Sequence, residues 1–371
     1  DSLINPLIIL EEVSVSGLRV NENQPLTFSD IQTEDLKERN LGQDLPILLN
    51  FLPGVVTTSD AGAGIGYTGI RVRGSDATRV NVTINGIPFN DSESQGTFWV
   101  NLPDFTSSVD NIQLNRGVGT STNGAGVFGA SLNLITQGVS DLAFAEIASS
   151  FGSFNTFKNT VKFSTGLLNE HFELSGRVAT IASDGYIDRS SSDLKSYFFQ
   201  GLYKDKNTLI KALTFGGSEI TYQSWYGIDP GTLATNRTYN PAGEMYDSSG
   251  VLTGHYDNQV DNYKQDHFQF HWTQQYSRSW SSTIGLNYTY GRGYYEVYND
   301  LWATQNIAFG DEVNFDYLQI APLVIGGTTI DTTENISRKW LDNNFYVGTF
   351  SLNYDSCLLY TSDAADEHNC V

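Results

Sequence analysis

The chain has only two cysteines, Cys357 and Cys370, both within its last 15 residues, which excludes a disulfide scaffold. Basic residues are scarce. There are 21 Lys and Arg against 42 Asp and Glu, a formal charge of −21, so the chain is a poor partner for a phosphate backbone and no nucleic-acid role is expected. Long hydrophobic runs are missing. The apolar stretches Leu7–Leu10 and Ile47–Leu49 fall far below the roughly 20 residues of a transmembrane helix. No basic segment leads into an apolar one at the N-terminus, so a secretory signal is expected to have been removed. The single methionine, Met245, is internal, and the chain does not open on a start codon. Proline is sparse, at 9, against 35 Gly, 20 Tyr and 21 Phe. Charged residues make up 17%, and glycine and aromatics at this level do not read as a disordered acidic tail.

The 371 residues suggest about two domains. Composition breaks near Gly138. The first 137 residues hold 8 aromatics and the remaining 234 hold 39. After the break, strict dyad alternation dominates. From Trp280 to Arg292, even positions are Trp280, Ser282, Ile284, Leu286, Tyr288 and Tyr290, while odd positions are small or polar. Tyr346 to Tyr354, Phe157 to Leu167, Phe172 to Val178 and Phe268 to Trp272 repeat the pattern. The segments run about 9–13 residues, enough to cross a membrane as tilted strands.

A soluble sandwich also alternates, but three features separate the two. The strands exceed the usual five or six residues. Aromatics gather near strand ends, as in an interfacial girdle. Connections alternate between short (near 169–171, 204–207 and 277–279) and long (183–193, 217–262 and 292–342), as in outer-membrane barrels.

Residues 29–137 mix short helices and strands. Helices are expected at Thr33–Arg39, with Ser29 as N-cap, and at Gly42–Asn50. Leu52–Val55 reads as a helix stop followed by a strand. Val80–Pro88 reads as a strand entering an Asn-Gly turn, and Val109–Arg116 and Ser131–Thr136 flank a glycine-rich stretch, Gly117–Gly129. Four ordered motifs, LPGV at Leu52–Val55, IRVRG at Ile70–Gly74, VTINGIP at Val82–Pro88 and the segment Val109–Thr136, resemble the TonB-dependent outer-membrane receptor family, with wording similar to receptors of Bacteroidota-type bacteria.

The resemblance implies a globular α+β plug inside a membrane β-barrel of 22 antiparallel strands. Only about eight alternating segments occur here, so the chain is expected to hold the N-terminal part of such a barrel. The expected organisation is an N-terminal segment at 1–28, a plug at 29–137, a partial barrel at 138–355 and a non-native tail at 356–371 that resembles translated sequencing-adapter read-through. Both cysteines fall in that tail.

Other motifs carry less. Gly64–Gly69 matches G-x-G-x-x-G but precedes a strand, so a dinucleotide site is not expected. Gly119–Gly124 lacks the Lys-Ser/Thr of a phosphate loop. His267 and His271 lie about 13 Å apart on a strand, as lumen-facing polar residues rather than zinc ligands. No metal site, no cofactor and no catalytic constellation is expected.

Further expectations come from the resemblance. It implies a bacterial outer-membrane receptor that binds a scarce nutrient, foremost a ferric siderophore, and imports it with energy transmitted by TonB, with ExbB and ExbD. Alternatives are haem, cobalamin, oligosaccharide or peptide as cargo, or a surface adhesin or a phage or bacteriocin receptor. The glycan branch is disfavoured by the segment AGVFGASLNLIT.

The resemblance makes Leu10, Glu11, Glu12, Val13, Ser14 and Val15 the TonB box, pairing by β-augmentation. On its residues alone, the stretch also suits a first plug strand. Arg71 and Arg73 share a strand face and are expected as a plug–barrel charge lock, with Glu146 and Glu173 as candidate partners. Ligand is expected to meet the plug tips 60–69 and 90–99 and the long outer loops, through Tyr67, Phe98, Trp99, Trp225, Tyr226, Arg237, Tyr239 and Tyr256, whose aromatics suit a flat chelate.

Overall fold

A computed structural model describes residues 26–117, 128–277, 279–307 and 311–354. The expected TonB box and the expected tail lie outside these residues, as do most of the glycine-rich stretch and the cysteines.

The N-terminal unit is built on a five-stranded sheet of β1 (Thr27–Gln32), β4 (Val80–Ile84), β5 (Ile87–Pro88), β6 (Val109–Arg116) and β7 (Ala130–Thr136), in the order β1-β6-β7-β4-β5. A separate hairpin joins β2 (Val55–Ser59) and β3 (Thr68–Val72). β4 and β7 run parallel and the other pairs antiparallel. Helices are brief, at Thr33–Leu36 and Leu45–Leu48.

Sequence patterns explain several of these features. Asn85 and Gly86 both take positive φ, at 53° and 78°, as the tight turn between β4 and β5 requires. Gly54, at φ 75°, turns the chain from the second helix into β2. Ser29 is not a helix cap. It lies inside β1 opposite Leu114, and its Oγ accepts from Arg116 Nη2 at 2.7 Å. Pairing with β6, a partner about 85 residues away, overrides the local capping signal.

The second unit is one antiparallel sheet of eight strands: β8 (Phe144–Gly152), β9 (Thr156–Ser164), β10 (Phe172–Ser183), β11 (Ser192–Lys204), β12 (Thr208–Tyr222), β15 (Val260–Gln275), β16 (Trp280–Asn299) and β19 (Asn335–Tyr354). Each pairs with its sequence neighbour, and β8 and β19 form the two ends, so the sheet is a curved wall rather than a closed barrel. The connection after β12 carries the hairpin β13 (Glu244–Tyr246) and β14 (Leu252–His255), and the connection after β16 carries β17 (Leu323–Ile325) and β18 (Thr328–Ile330).

Alternation becomes sidedness in this wall. On the outer face Leu174, Phe268, Leu286 and Phe350 are exposed, while Asn287, Thr289 and His267 on the inner face are buried against the first unit. A water-facing sheet would bury its apolar face, whereas this one turns it outward, which suits lipid. The inner face is not uniformly polar. Phe198, Leu213 and Phe215 join the core of the first unit, where the Phe105 ring lies tilted against Phe215 at 5.0 Å. The long connections, 223–259 and 300–334, lie at one end of the wall, together with 184–191 and the short turn 153–155, while 165–171, 205–207 and 276–279 lie at the other. β16 and β19 each run to 20 residues, so Tyr294, Tyr295 and Tyr298 belong to a strand rather than to a loop.

Candidate functional site

The two units meet through a buried ionic contact. Asp104, in a left-handed conformation at φ 52°, places its carboxylate against the wall. Lys158 Nζ lies 2.6 Å away and Arg177 Nη1 3.3 Å away, with all three side chains at 5% exposure or less. Thr160 Oγ1 and Ser107 Oγ also donate to this carboxylate, each at 2.6 Å. Burial pushes the Asp104 carboxyl up, but Arg177 and Lys158 outweigh it and hold the group below the ordinary carboxylate range. Arg177 Nε further donates to Ser108 Oγ at 2.7 Å, and Ser196 Oγ to the Pro103 carbonyl at 2.6 Å.

The residues expected as the lock lie apart from this contact. Arg71 and Arg73 are exposed, and Arg73 Nη1 donates within its own unit, to the Arg116 carbonyl at 3.4 Å. Glu146 pairs with Lys37 at 3.4 Å, and Glu173 accepts from Ser164 Oγ at 2.6 Å and Ser140 N at 3.0 Å. In the buried contact the carboxylate belongs to the first unit and the cations to the wall. It escaped sequence reading because Asp104 lies 54 and 73 residues from its partners, with no local spacing to mark it.

Toward the end with the long connections, a cavity of about 480 Å³ opens between segment 88–98 and the inner faces of β12, β15, β16 and β19. Tyr67 and Phe98, both expected at the ligand site, line it. The Tyr67 hydroxyl donates to Asp261 Oδ2, and its ring meets Trp225 edge-on at 5.2 Å. Burial first, then the charges of Glu219 and Asp261, pushes the Tyr67 hydroxyl far up, so it stays a donor. Trp225 in turn contacts Tyr226 at 6.3 Å and Tyr295 at 6.4 Å, extending the aromatic surface outward.

Other expected residues fall elsewhere. Trp99 is 2% exposed and belongs to the core of the first unit, because the 3₁₀ turn Trp99–Asn101 rotates it inward while Phe98 stays 44% exposed. Tyr239 donates to Glu244, which together with burial pushes its hydroxyl up to about 12. Tyr256 donates to Glu296 and stacks on Tyr298 at 5.6 Å. Arg237 is exposed beyond the helix Pro230–Thr235, away from the cavity lining.

Sequence reading missed Glu219, Asp261, Tyr263 and Asn287. Their inward parity on β12, β15 and β16 was the available signal. His267 and His271 face inward as expected and are held separately: His267 Nδ1 lies 2.8 Å from Thr289 Oγ1, and His271 Nε2 3.2 Å from Gln269 Oε1. No cluster of His, Cys, Asp and Glu able to hold a metal ion occurs among the described residues.

Residues 20–131 match the family described as TonB-dependent Receptor Plug Domain. No curated protein matches the chain. Several solved structures share the fold. The ferric-catecholate import receptor Fiu from E. coli K12, in its open form, aligns with a TM-score of 0.59 at 13% identity, over 89% of this chain and 46% of that one. The ferric citrate transporter FecA, unliganded, gives 0.59 at 16% identity, over 74% and 41%. The copper transporter OprC gives 0.55 at 14% identity, over 73% and 38%. The chain thus spans less than half the length of each of these structures. Residues 20–131 thus carry a TonB-dependent receptor plug domain, set against an antiparallel wall in the fold shared with these receptors and transporters.

Proposed function

We propose that the chain supplies the plug and eight wall strands of a receptor that binds a ferric chelate and imports it with energy from TonB. The observation that carries this reading is the cavity between the plug tips and the wall, which continues into the aromatic surface of Tyr67, Trp225 and Tyr295. Its about 480 Å³ and mixed aromatic and polar lining suit a small organic chelate held by few oriented groups. We place this plug across the lumen of the closed barrel of the whole receptor, where cargo passes only when a force loosens the plug. Leu10–Val15, ahead of the plug, is the segment we assign to the TonB partner, through backbone pairing. We assign the protein no catalysis.

The related solved structures include ferric-chelate receptors and a copper transporter. The absence of a metal-holding cluster among the described residues favours a chelate over a bare metal ion. A binding panel on the purified full-length receptor tests the reading. Ferric chelates, haem, cobalamin and an oligosaccharide are titrated in parallel. Saturable binding of a ferric chelate alone is expected, and binding confined to another cargo would replace this reading.

A further inference from the structure

The charged residues lining the cavity are all acidic. They are Asp91, Glu93, Glu219, Asp261 and Asp342, the last paired with Arg292 at 3.7 Å, among neutral Asn, Gln, Ser, Thr, Tyr and His side chains, and no Lys or Arg lines it among the described residues. Glu219 and Asp261 project from paired strands of the inner wall. Glu219 lies opposite Tyr263 and Asp261 opposite Thr221, which makes the two carboxylates diagonal neighbours on one face.

Three acceptor oxygens in this lining are buried and have no hydrogen-bond partner among the described residues: Glu219 Oε2, Asn101 Oδ1 and Asn287 Oδ1. Their side chains belong to residues 2%, 7% and 7% exposed. Asn287 has its amide nitrogen committed, donating to Thr289 Oγ1 at 3.0 Å, so its oxygen is the atom left over. Asp261 has one oxygen taken by Tyr67 and no cation beside it in the lining.

A buried acceptor left unmatched has given up its water with nothing in exchange, and a carboxylate loses most. A site for an anion would carry the opposite set of donors and positive charge. What satisfies this set is a group with several N–H donors and a positive charge. Phe89 and Phe98 line the same cavity and offer apolar surface to an aliphatic arm and ring faces to a cation.

We propose that this cavity is a cation subsite that takes the ammonium or guanidinium group of the cargo, so that the imported iron complex is positively charged rather than anionic. The iron-complex clause rests on the reading given under Proposed function; the cation subsite rests on the cavity itself.

The test uses the full-length receptor in detergent and four probes followed by titration calorimetry. These are a ferric trihydroxamate with a pendant primary ammonium, the same chelate N-acetylated to neutrality, an anionic ferric tricatecholate, and a plain alkyl diamine. The ammonium chelate is expected to bind at least tenfold more tightly than its acetylated form, with the tricatecholate weakest. Glu219→Gln and, separately, Asp261→Asn should shrink that preference to below threefold, while circular dichroism reports the barrel intact. Equal binding of the ammonium and acetylated chelates, or tightest binding of the tricatecholate, overturns the inference and leaves chelate import standing. Diamine binding that is lost in Glu219→Gln, with no chelate bound, upholds the cation subsite and overturns the iron reading. Failure of all four probes overturns both.

Discussion

Asp104 of the plug and Arg177 of the wall meet at 3.3 Å with each side chain at most 1% exposed. Lys158 completes the contact from the other carboxylate oxygen, at 2.6 Å. A buried ion pair of this kind is worth little relative to a well-packed apolar pair, but removing one partner strands the other. Asp104→Asn leaves two buried wall cations facing a neutral amide. We expect the plug's seating to weaken by about 3–5 kcal/mol. Limited proteolysis in outer-membrane vesicles checks this: faster plug cleavage with an unchanged barrel is the expected outcome. Asp104 also contributes an acid sensitivity. Its carboxyl is held below the ordinary 3.8, so its stabilisation is present above that value and fades as pH falls through the lower folded one.

Asp44 works in the opposite direction. It is buried, accepts from Thr68 Oγ1 at 2.9 Å, and burial raises its carboxyl from 3.8 to about 8. The folded plug therefore holds this proton where the unfolded chain has lost it. Stability from this group is full below about pH 4 and declines as pH rises toward 8. Asp44→Asn, which mimics the protonated form, should flatten that decline. Hydrogen exchange of the plug core across this pH range measures it, and an unchanged slope in the variant would refute the assignment.

Gly217 lies where the wall backbone closely approaches the plug. A Cβ there would sit 2.6 Å from the Asn101 carbonyl oxygen and 2.7 Å from Pro103 Cδ. Neither contact can yield, since one is backbone and the other a ring. Gly217→Val should displace the plug segment 99–103, raising its hydrogen exchange at least tenfold, while wall strands exchange as before. Equal exchange in both proteins would mean the approach is looser than described.

Phe98 and Trp99 are neighbours with opposite duties. Trp99→Ala removes a core side chain and should destabilise the plug by about 3–5 kcal/mol. Phe98→Ala, at the cavity, should leave stability unchanged and weaken cargo binding about five- to tenfold. Thermal unfolding and binding titrations on the two single variants separate these effects.

Much of this was readable from sequence parity, but only where the physics is local. Alternation from Trp280 to Arg292 marks a strand because neighbouring side chains must point to opposite faces. It stops marking the strand at Tyr294 and Tyr295, two adjacent aromatics on opposite faces, so the pattern alone does not carry β16 to its end at Asn299. The Asn85–Gly86 turn was legible because positive φ selects these residues. Ser29 as a cap had the right chemistry locally, but its place was set by a partner far along the chain. The same holds for the cavity, where Glu219 and Asp261 become a pair only through strand register.

The central claim, energy-coupled import of a ferric chelate, is tested most directly by uptake of radioactive iron in cells carrying Val13→Pro. Proline removes a backbone donor from the segment assigned to TonB and interrupts continuous strand pairing. Surface binding of the ferric chelate should stay within twofold of the unmodified receptor, while uptake falls to that of cells lacking the gene. Uptake at the unmodified rate would contradict the account.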